Sequence, residues 1–254
     1  MHYLSGMKLG LLTDIHEDYP QLEKAIRVLE HEGCDQLICL GDVVGFSVPR
    51  YQFYRERNGH ACIQLIREKC SLTVAGNHDF HAARKTPAAS SGFTYPTNWY
   101  EMRFNARKKH AQGKVWLYEM MELSPLLTEE DEHWLRQLPE SATLNVGSDM
   151  LLFSHYVAPN VTGHLSHFAE KPADFTPHFN WMAQHGCALA FTGHHHVDGV
   201  LTVTSTEVRH AAFGHYQLPE TPVIINLPCV VRDRNPSGVA TYDTDTRQLA
   251  VLPI

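Results

Sequence analysis

Apolar residues recur along this chain in two rhythms. Five short runs, Lys8 to Thr13, Gln36 to Leu40, Leu72 to Ala75, Met150 to Phe153 and Ala188 to Thr192, are apolar on both faces. Runs of this length with no alternation predict strands buried on both sides, as in parallel sheets. Between them the apolar residues recur at helical spacing. A helix is predicted from about Pro20 to Glu32, with Leu22, Ile26 and Leu29 on one stripe and Gly33 suited to its C-terminal stop. Further helical material runs from Pro49 to Lys69, interrupted at Asn58-Gly59. From Phe80 to Leu138 the pattern is mostly helical: a Ser-, Pro- and Gly-rich loop (Thr86 to Thr97), a long helix from about Asn98 to Met121, and a helix opened by Thr128 with Asp131 three residues on. This block carries no motif and is expected to cap or flank a site.

The second part resumes with strands at Ala142 to Val146 and Met150 to Phe153 across a Gly147-Ser148-Asp149 turn, then a helix near Asp174 to His185. After His196 the chain is β-rich, with Val200 to Ser205, Val223 to Asn226, Val239 to Tyr242 and Leu249 to Leu252 separated by Pro, Gly and Asn. No internal repeat or linker interrupts residues 1–254, which are expected to form one domain. Strands alternating with helices predict an α/β fold, and two sheets packed face to face with helices outside accommodate both halves.

Each of the five strand runs closes on a short polar string: Asp14-Ile15-His16, Gly41-Asp42, Gly76-Asn77-His78-Asp79, Ser154-His155 and Gly193-His194-His195-His196. Open α/β sheets bind ligands where such strands end. In extended backbone residues i and i+2 point the same way, so Asp14 and His16, and again His194 and His196, are expected to reach one centre each. Asp42 has two carboxylate oxygens and could bridge two cations; Asn77 offers an amide oxygen and His155 an imidazole. All seven donors are oxygen or nitrogen, which suits Mn, Fe, Zn, Ni or Co rather than a thiolate site.

Composition narrows the reading. The six cysteines (Cys34, Cys39, Cys62, Cys70, Cys187, Cys229) form no CxxC pair and fall partly in apolar runs, as small buried hydrophobes of a reducing, cytoplasmic setting would. No run approaches the ~18 apolar residues of a membrane span. A formal net charge of −7 argues against binding a nucleic-acid duplex, and the basic cluster Arg103 to Lys109 reads as a solvated helix face. Of the 18 histidines, six (His16, His78, His155, His194, His195, His196) sit in the strings, and His81, His164, His167, His210 and His215 are further candidates to line a pocket. No Gly-x-Ser-x-Gly elbow, P-loop or Gly-x-Gly-x-x-Gly string supports another chemistry.

Taken in order, the five strings resemble the calcineurin-like metallophosphoesterases over nearly the whole chain from Lys8 onward. Leu40-Gly41-Asp42-Val43-Val44-Gly45 and the tail around Ile225-Asn226-Leu227-Pro228 look closest to small prokaryotic phosphodiesterases. The resemblance implies a four-layer αββα sandwich holding two divalent metal ions (Mn, Fe, Zn, Ni or Co). It implies Asp14, His16 and His196 on the first ion, Asp42 bridging both, and Asn77, His155 and His194 on the second. It implies catalytic roles for His78, contacting the scissile phosphate or leaving oxygen, and for Asp79, orienting His78 through its other ring nitrogen. The activity it implies is hydrolysis of a small phosphodiester by a metal-bridging hydroxide, a role for which no Ser or Cys nucleophile is needed. The alternatives are a phosphomonoesterase or protein phosphatase, for which Arg50, Arg84 and Arg209 could grip a dianionic phosphate, and a catalytically silent metal-binding scaffold. The chain departs from the family pattern at Glu17-Asp18, Tyr156 and Asn226-Leu227-Pro228-Cys229, where bulkier or acidic residues replace small, backbone-exposing ones around the pocket and so bear on which substrate it takes.

Overall fold

The computed structural model describes residues 6–88, 91–147 and 149–254. Two six-stranded sheets dominate it. In the first, strands β1 (Lys8–Leu12), β2 (Gln36–Cys39) and β4 (Cys70–Thr73) run parallel, while β13 (Gly238–Asp243), β14 (Gln248–Pro253) and β11 (Gly214–Gln217) extend it antiparallel from β1. In the second, β7 (Asp149–Ser154), β8 (Leu189–Thr192) and β12 (Val223–Asn226) run parallel, flanked by β6 (Ser141–Val146) on one side and by β9 (Val200–Val203) and β10 (Val208–Ala211) on the other. A small two-stranded sheet pairs β3 (Phe46–Ser47) with β5 (Glu122–Leu123).

The period of two along each strand decides which layer its side chains enter. Leu9 and Leu11, Ile38, Leu151 and Phe153, Leu189 and Phe191, and Val223 and Ile225 point inward and make one buried cluster between the sheets. Their neighbours point outward. Leu37 and Cys39 pack with Leu22, Ile26 and Leu29 of α1 (Tyr19–His31) and Ile63 and Ile66 of α2 (Gly59–Lys69), while Leu152, Ala190 and Ile224 pack with Met182 of α6 (Thr176–Gln184). Helix, sheet, sheet and helix therefore stack in the order predicted, and the inner parallel strands β1, β2, β7, β8 and β12 are largely apolar on both faces because both are covered, whereas the edge strand β4 is partly exposed.

Three local expectations are corrected. The predicted helix from Asn98 to Met121 is broken into a 3-10 turn (Trp99–Glu101), α4 (Phe104–Ala111) and a second 3-10 turn (Tyr118–Met120). The break falls at Gln112 and Gly113, both left-handed, and it lets Trp99, Ala111 and Val115 close a local cluster instead of a helical stripe. The third strand lies two residues earlier than read, at β4, leaving Val74 and Ala75 to lead into the short α3 (Asn77–Ala82). Strands β10 and β11 were not expected, because their partly exposed sequences lack an apolar run. The capping box is present as predicted: Asp131 N donates to Thr128 Oγ1 (3.2 Å) and Thr128 N to Asp131 Oδ2 (2.8 Å), opening α5 (Glu129–Gln137). All six cysteines are free thiols, and the predicted hairpin forms, its Ser148 lying outside the described residues. No described helix is long and apolar enough to cross a membrane.

Candidate metal centre

The five strings leave the C-terminal ends of β1, β2, β4, β7 and β8 and meet on one rim. Their approach is not the extended geometry expected of Asp14-x-His16 and His194-x-His196. Asp14 (φ +55°), His16 (+49°), Asp42 (+54°), His194 (+73°) and His196 (+49°) are all left-handed. Each such residue costs on the order of 1–2 kcal/mol and persists only where its surroundings enforce it. Here loop-to-loop hydrogen bonds do so: Asp14 N donates to Gly41 O (3.0 Å), His16 N to Asp42 O (3.0 Å) and Gly193 N to His155 O (2.8 Å). Backbone approach is close enough that a Cβ on Gly76 would lie 2.0 Å from Asp42 Oδ1, and one on left-handed Gly45 2.5 Å from the His78 ring.

Three ring orientations are fixed from behind. Nδ1 of His16 faces Gly45 O (2.8 Å), Nδ1 of His155 faces Leu40 O (2.8 Å), and Nδ1 of His196 faces Asp233 Oδ2 (3.0 Å). A carbonyl or carboxylate partner takes the proton of Nδ1, so Nε2 of each ring faces the centre and offers a lone pair there once its own proton is released. Those nitrogens meet other potential ligand atoms. His16 Nε2 lies 3.2 Å from His196 Nε2, which lies 3.3 Å from Asp14 Oδ1; His155 Nε2 lies 3.1 Å from both His194 Nδ1 and Asp42 Oδ2. Asp14 Oδ1, Asn77 Oδ1 and His194 Nε2 are buried without a hydrogen-bond partner. Acceptors turned toward one another in a buried site are the donor set of a cation, and the residues fit one. The Asp14, His16, His196 group and the Asp42, His155, His194 group each bring their ligand atoms within 4.8 Å of one another. Burial disfavours charge on Asp14 and Asp42, but the imidazoles of His155 and His196 around the first, and of His155 and His78 around the second, hold both carboxyls below the usual range.

Asn77 fits the same pattern, its Nδ2 donating to the Tyr118 hydroxyl (2.7 Å) while Oδ1 stays free. His78 belongs to the rim, with Nε2 3.8 Å from Asp42 Oδ2. The expectation that Asp79 orients His78 is corrected. Asp79 is fully buried and accepts from four backbone amides, those of Asp42 (2.8 Å), Val43 (2.9 Å), Val44 (3.2 Å) and Gly76 (3.0 Å), so it braces two ligand loops. The carboxylate at His78 Nδ1 belongs to Glu122, 2.5 Å away. Burial works against a charged His78, but Glu122 and Asp42 outweigh it and raise its pKa to about 9.

The cleft above this rim has a volume of about 210 Å³ and adds Arg50, Tyr51, Trp116, Tyr118, Met121 and Phe168 to the polar strings. Residues 116 to 122 of the predicted flanking block thus form one wall. None of the departing residues lines the cleft. Glu17 is buried beside Arg57 (3.3 Å), Asp18 takes Arg232 on both oxygens (2.8 Å each), and the Tyr156 hydroxyl meets His195 Nε2 (3.1 Å). Arg50 lines the cleft and is ion-paired with Asp233. Arg84 instead donates to Tyr100 O (2.5 Å), and Arg209 lies on β10. Of the additional histidines, His81 packs on Tyr118 outside the cleft, His164 sits between Ser91 and Thr162, His210 and His215 lie on β10 and β11, and His167 does not line the cleft.

The family model of the calcineurin-like phosphoesterases matches residues 7–198. The chain belongs to this family. An uncharacterised protein of Methanocaldococcus jannaschii is 31% identical over 72 residues, which span 28% of this chain and 26% of that protein. Among solved structures, a metallophosphoesterase from Sphaerobacter thermophilus superposes with a TM-score of 0.65 at 18% identity, covering 98% of this chain and 88% of that one. A protein from Pyrococcus horikoshii OT3 gives 0.58 at 13% identity, covering 97% and 87%. This calcineurin-like phosphoesterase therefore shares the sandwich of its relatives and carries His/Asp clusters able to bind divalent metal.

Proposed function

We propose that the protein is a phosphodiesterase using two divalent ions. The charge of the cleft carries the diester reading. Apart from histidines, Arg50 is its one cationic side chain among the described residues, and Arg50 is already paired with Asp233. A monoester dianion brings one more negative charge than a diester, and beyond the ions and histidines that both esters meet, the cleft offers no unpaired Arg or Lys to take it up beside Glu122.

In this reading Asp14, His16 and His196 would hold one ion, Asn77, His155 and His194 the other, and Asp42 would be shared between them. The ions, when bound, lower the pKa of water and neutralise charge developing on the phosphoryl oxygens. The protein's own residues do the rest. Asp233, Gly45 O and Leu40 O fix the ring orientations of His196, His16 and His155. Tyr118 turns the Asn77 oxygen inward. His78, protonated and held at Nδ1 by Glu122, gives its Nε2 proton to the departing alkoxide, a role worth about 10²–10⁴ in rate.

The test compares bis(p-nitrophenyl) phosphate with p-nitrophenyl phosphate on the same metal-loaded sample. At least a tenfold higher kcat/KM on the diester is expected. The reverse order would make the protein a monoesterase, and hydrolysis of neither would favour a scaffold.

A further inference from the structure

Among the described residues, the exposed large hydrophobic side chains are Val48, Tyr54, Met120, Met121, Leu123 and Leu126. They come from two stretches far apart in sequence that the small β3–β5 sheet brings together. Phe46 pairs with Leu123 and Ser47 with Glu122, Val48 N donates to Met121 O (2.7 Å), and the Tyr54 hydroxyl donates to Val48 O (3.1 Å). Met120 is 74% exposed, and the backbone pairing that sets Val48 and Tyr54 beside Met121 makes this apolar strip a candidate binding surface. The strip is continuous with the metal cleft, because Ser47, Met121 and Glu122 line that cleft.

We infer that the strip seats the organic group of the substrate, and that the substrate is an amphiphilic phosphodiester whose alkyl or acyl chain leaves the cleft past Met121 toward Val48, Tyr54 and Met120. The inference rests on the phosphoesterase reading for the phosphate end. Three features favour a flexible apolar chain over other occupants. The strip is built mostly of aliphatic and thioether side chains, which conform to a chain rather than stack on a ring. The aromatic wall offers no slot for a base: Trp116 and Phe168 touch each other at 6.2 Å and 60°, and Phe168 is stacked on His194 at 5.2 Å and 24°. Six side chains are also far fewer than the ~20–30 residues a side of a standard protein–protein interface.

The experiment measures inhibition constants of methyl, butyl, hexyl and octyl phosphate, each below its micelle concentration, against hydrolysis of bis(p-nitrophenyl) phosphate. A methylene laid on apolar surface tightens binding up to ~4-fold, so octyl phosphate should bind at least ~30-fold more tightly than methyl phosphate. The double variant Val48→Thr, Met120→Gln should cut that ratio to below ~5-fold. The ratio is the readout, so damage to the metal centre shifts both constants and leaves it unchanged. A flat series in the wild type overturns the inference. So does a flat alkyl series accompanied by tighter binding of a nucleoside 5′-monophosphate than of ribose 5-phosphate, which would assign the wall to a heterocycle, or by a dimer in sedimentation that the double variant dissociates. Should bis(p-nitrophenyl) phosphate not be hydrolysed, the diesterase reading fails separately, and calorimetric titration of the same alkyl phosphates into the metal-loaded protein still decides the chain-length question.

Discussion

Glu122 sets one carboxylate oxygen 2.5 Å from Nδ1 of His78, across 44 residues of sequence and between two different walls of the cleft. The pair joins a ring on α3 to the two-stranded sheet that also carries the apolar strip. It gives His78 a counter-charge outside the set of ligand side chains, which a proton donor to a leaving oxygen needs and a structural histidine does not.

Glu122→Gln should therefore lower kcat by about tenfold on diesters with alkyl leaving groups and by less on nitrophenyl esters, whose anion departs with little need of a proton. His78→Ala should produce the same pattern with a larger loss, about 10²–10⁴, at nearly unchanged metal content. Kinetics on matched alkyl and nitrophenyl diesters, with metal measured in each sample, check both. Loss of metal in His78→Ala would make His78 a ligand alongside His16 and Asp42, whose ligand atoms lie within 4.8 Å of its own.

Asp42→Asn should be more damaging than Asn77→Ala at saturating metal. Asp42 Oδ2 faces His155 (3.1 Å) and, more distantly, His16 (3.8 Å), so one carboxylate serves both clusters, whereas Asn77 presents one neutral oxygen. Removing the shared charge also leaves the repulsion between two cations uncompensated. Side-by-side kcat values with excess Mn²⁺ provide the check, and equal losses would show that Asp42 does not bridge.

Much of this site is legible along the chain, and the reason is local. Strand, turn and ligand are neighbours in sequence, so Asp14, Asp42, Asn77, His155 and His196 can be read from the strings that end their strands. Glu122 and Asp233 cannot be read in this way. Each is a lone acid with no string around it, and each reaches the site only because a separate segment folds over it; the partner of His196 is 37 residues further on. Asp79 illustrates the opposite error. Its place beside His78 suggests a contact, but the turn of α3 sends its carboxylate to four amides of the ligand loops instead. The left-handed ligand residues are equally invisible, since Asp and His give no sign of φ as glycine does.

A pH effect on stability should arise at a histidine outside the candidate metal clusters, His178 on α6. This ring is fully buried, Ala158 N donates to its Nδ1 (2.9 Å), and burial pushes its pKa down to about 3. Below about pH 6.5 the unfolded chain binds a proton that the folded protein refuses, so stability falls as pH drops from there toward 3, by about 1.4 kcal/mol per unit. His178→Asn keeps an acceptor near Ala158 N but does not titrate. Urea unfolding should show the stability gap between wild type and variant shrinking by about 2 kcal/mol between pH 7.5 and pH 5.0. A gap independent of pH would mean that His178 is protonated in the folded protein.

The most direct test of the site itself is elemental analysis of the protein after mild purification and reconstitution with Mn²⁺. On the proposed function, the facing ring nitrogens of His16 and His196, and of His155 and His194, together with the carboxylate of Asp42, would hold close to two ions per chain. Two ions in the wild type is the predicted result; one or none after reconstitution would contradict it.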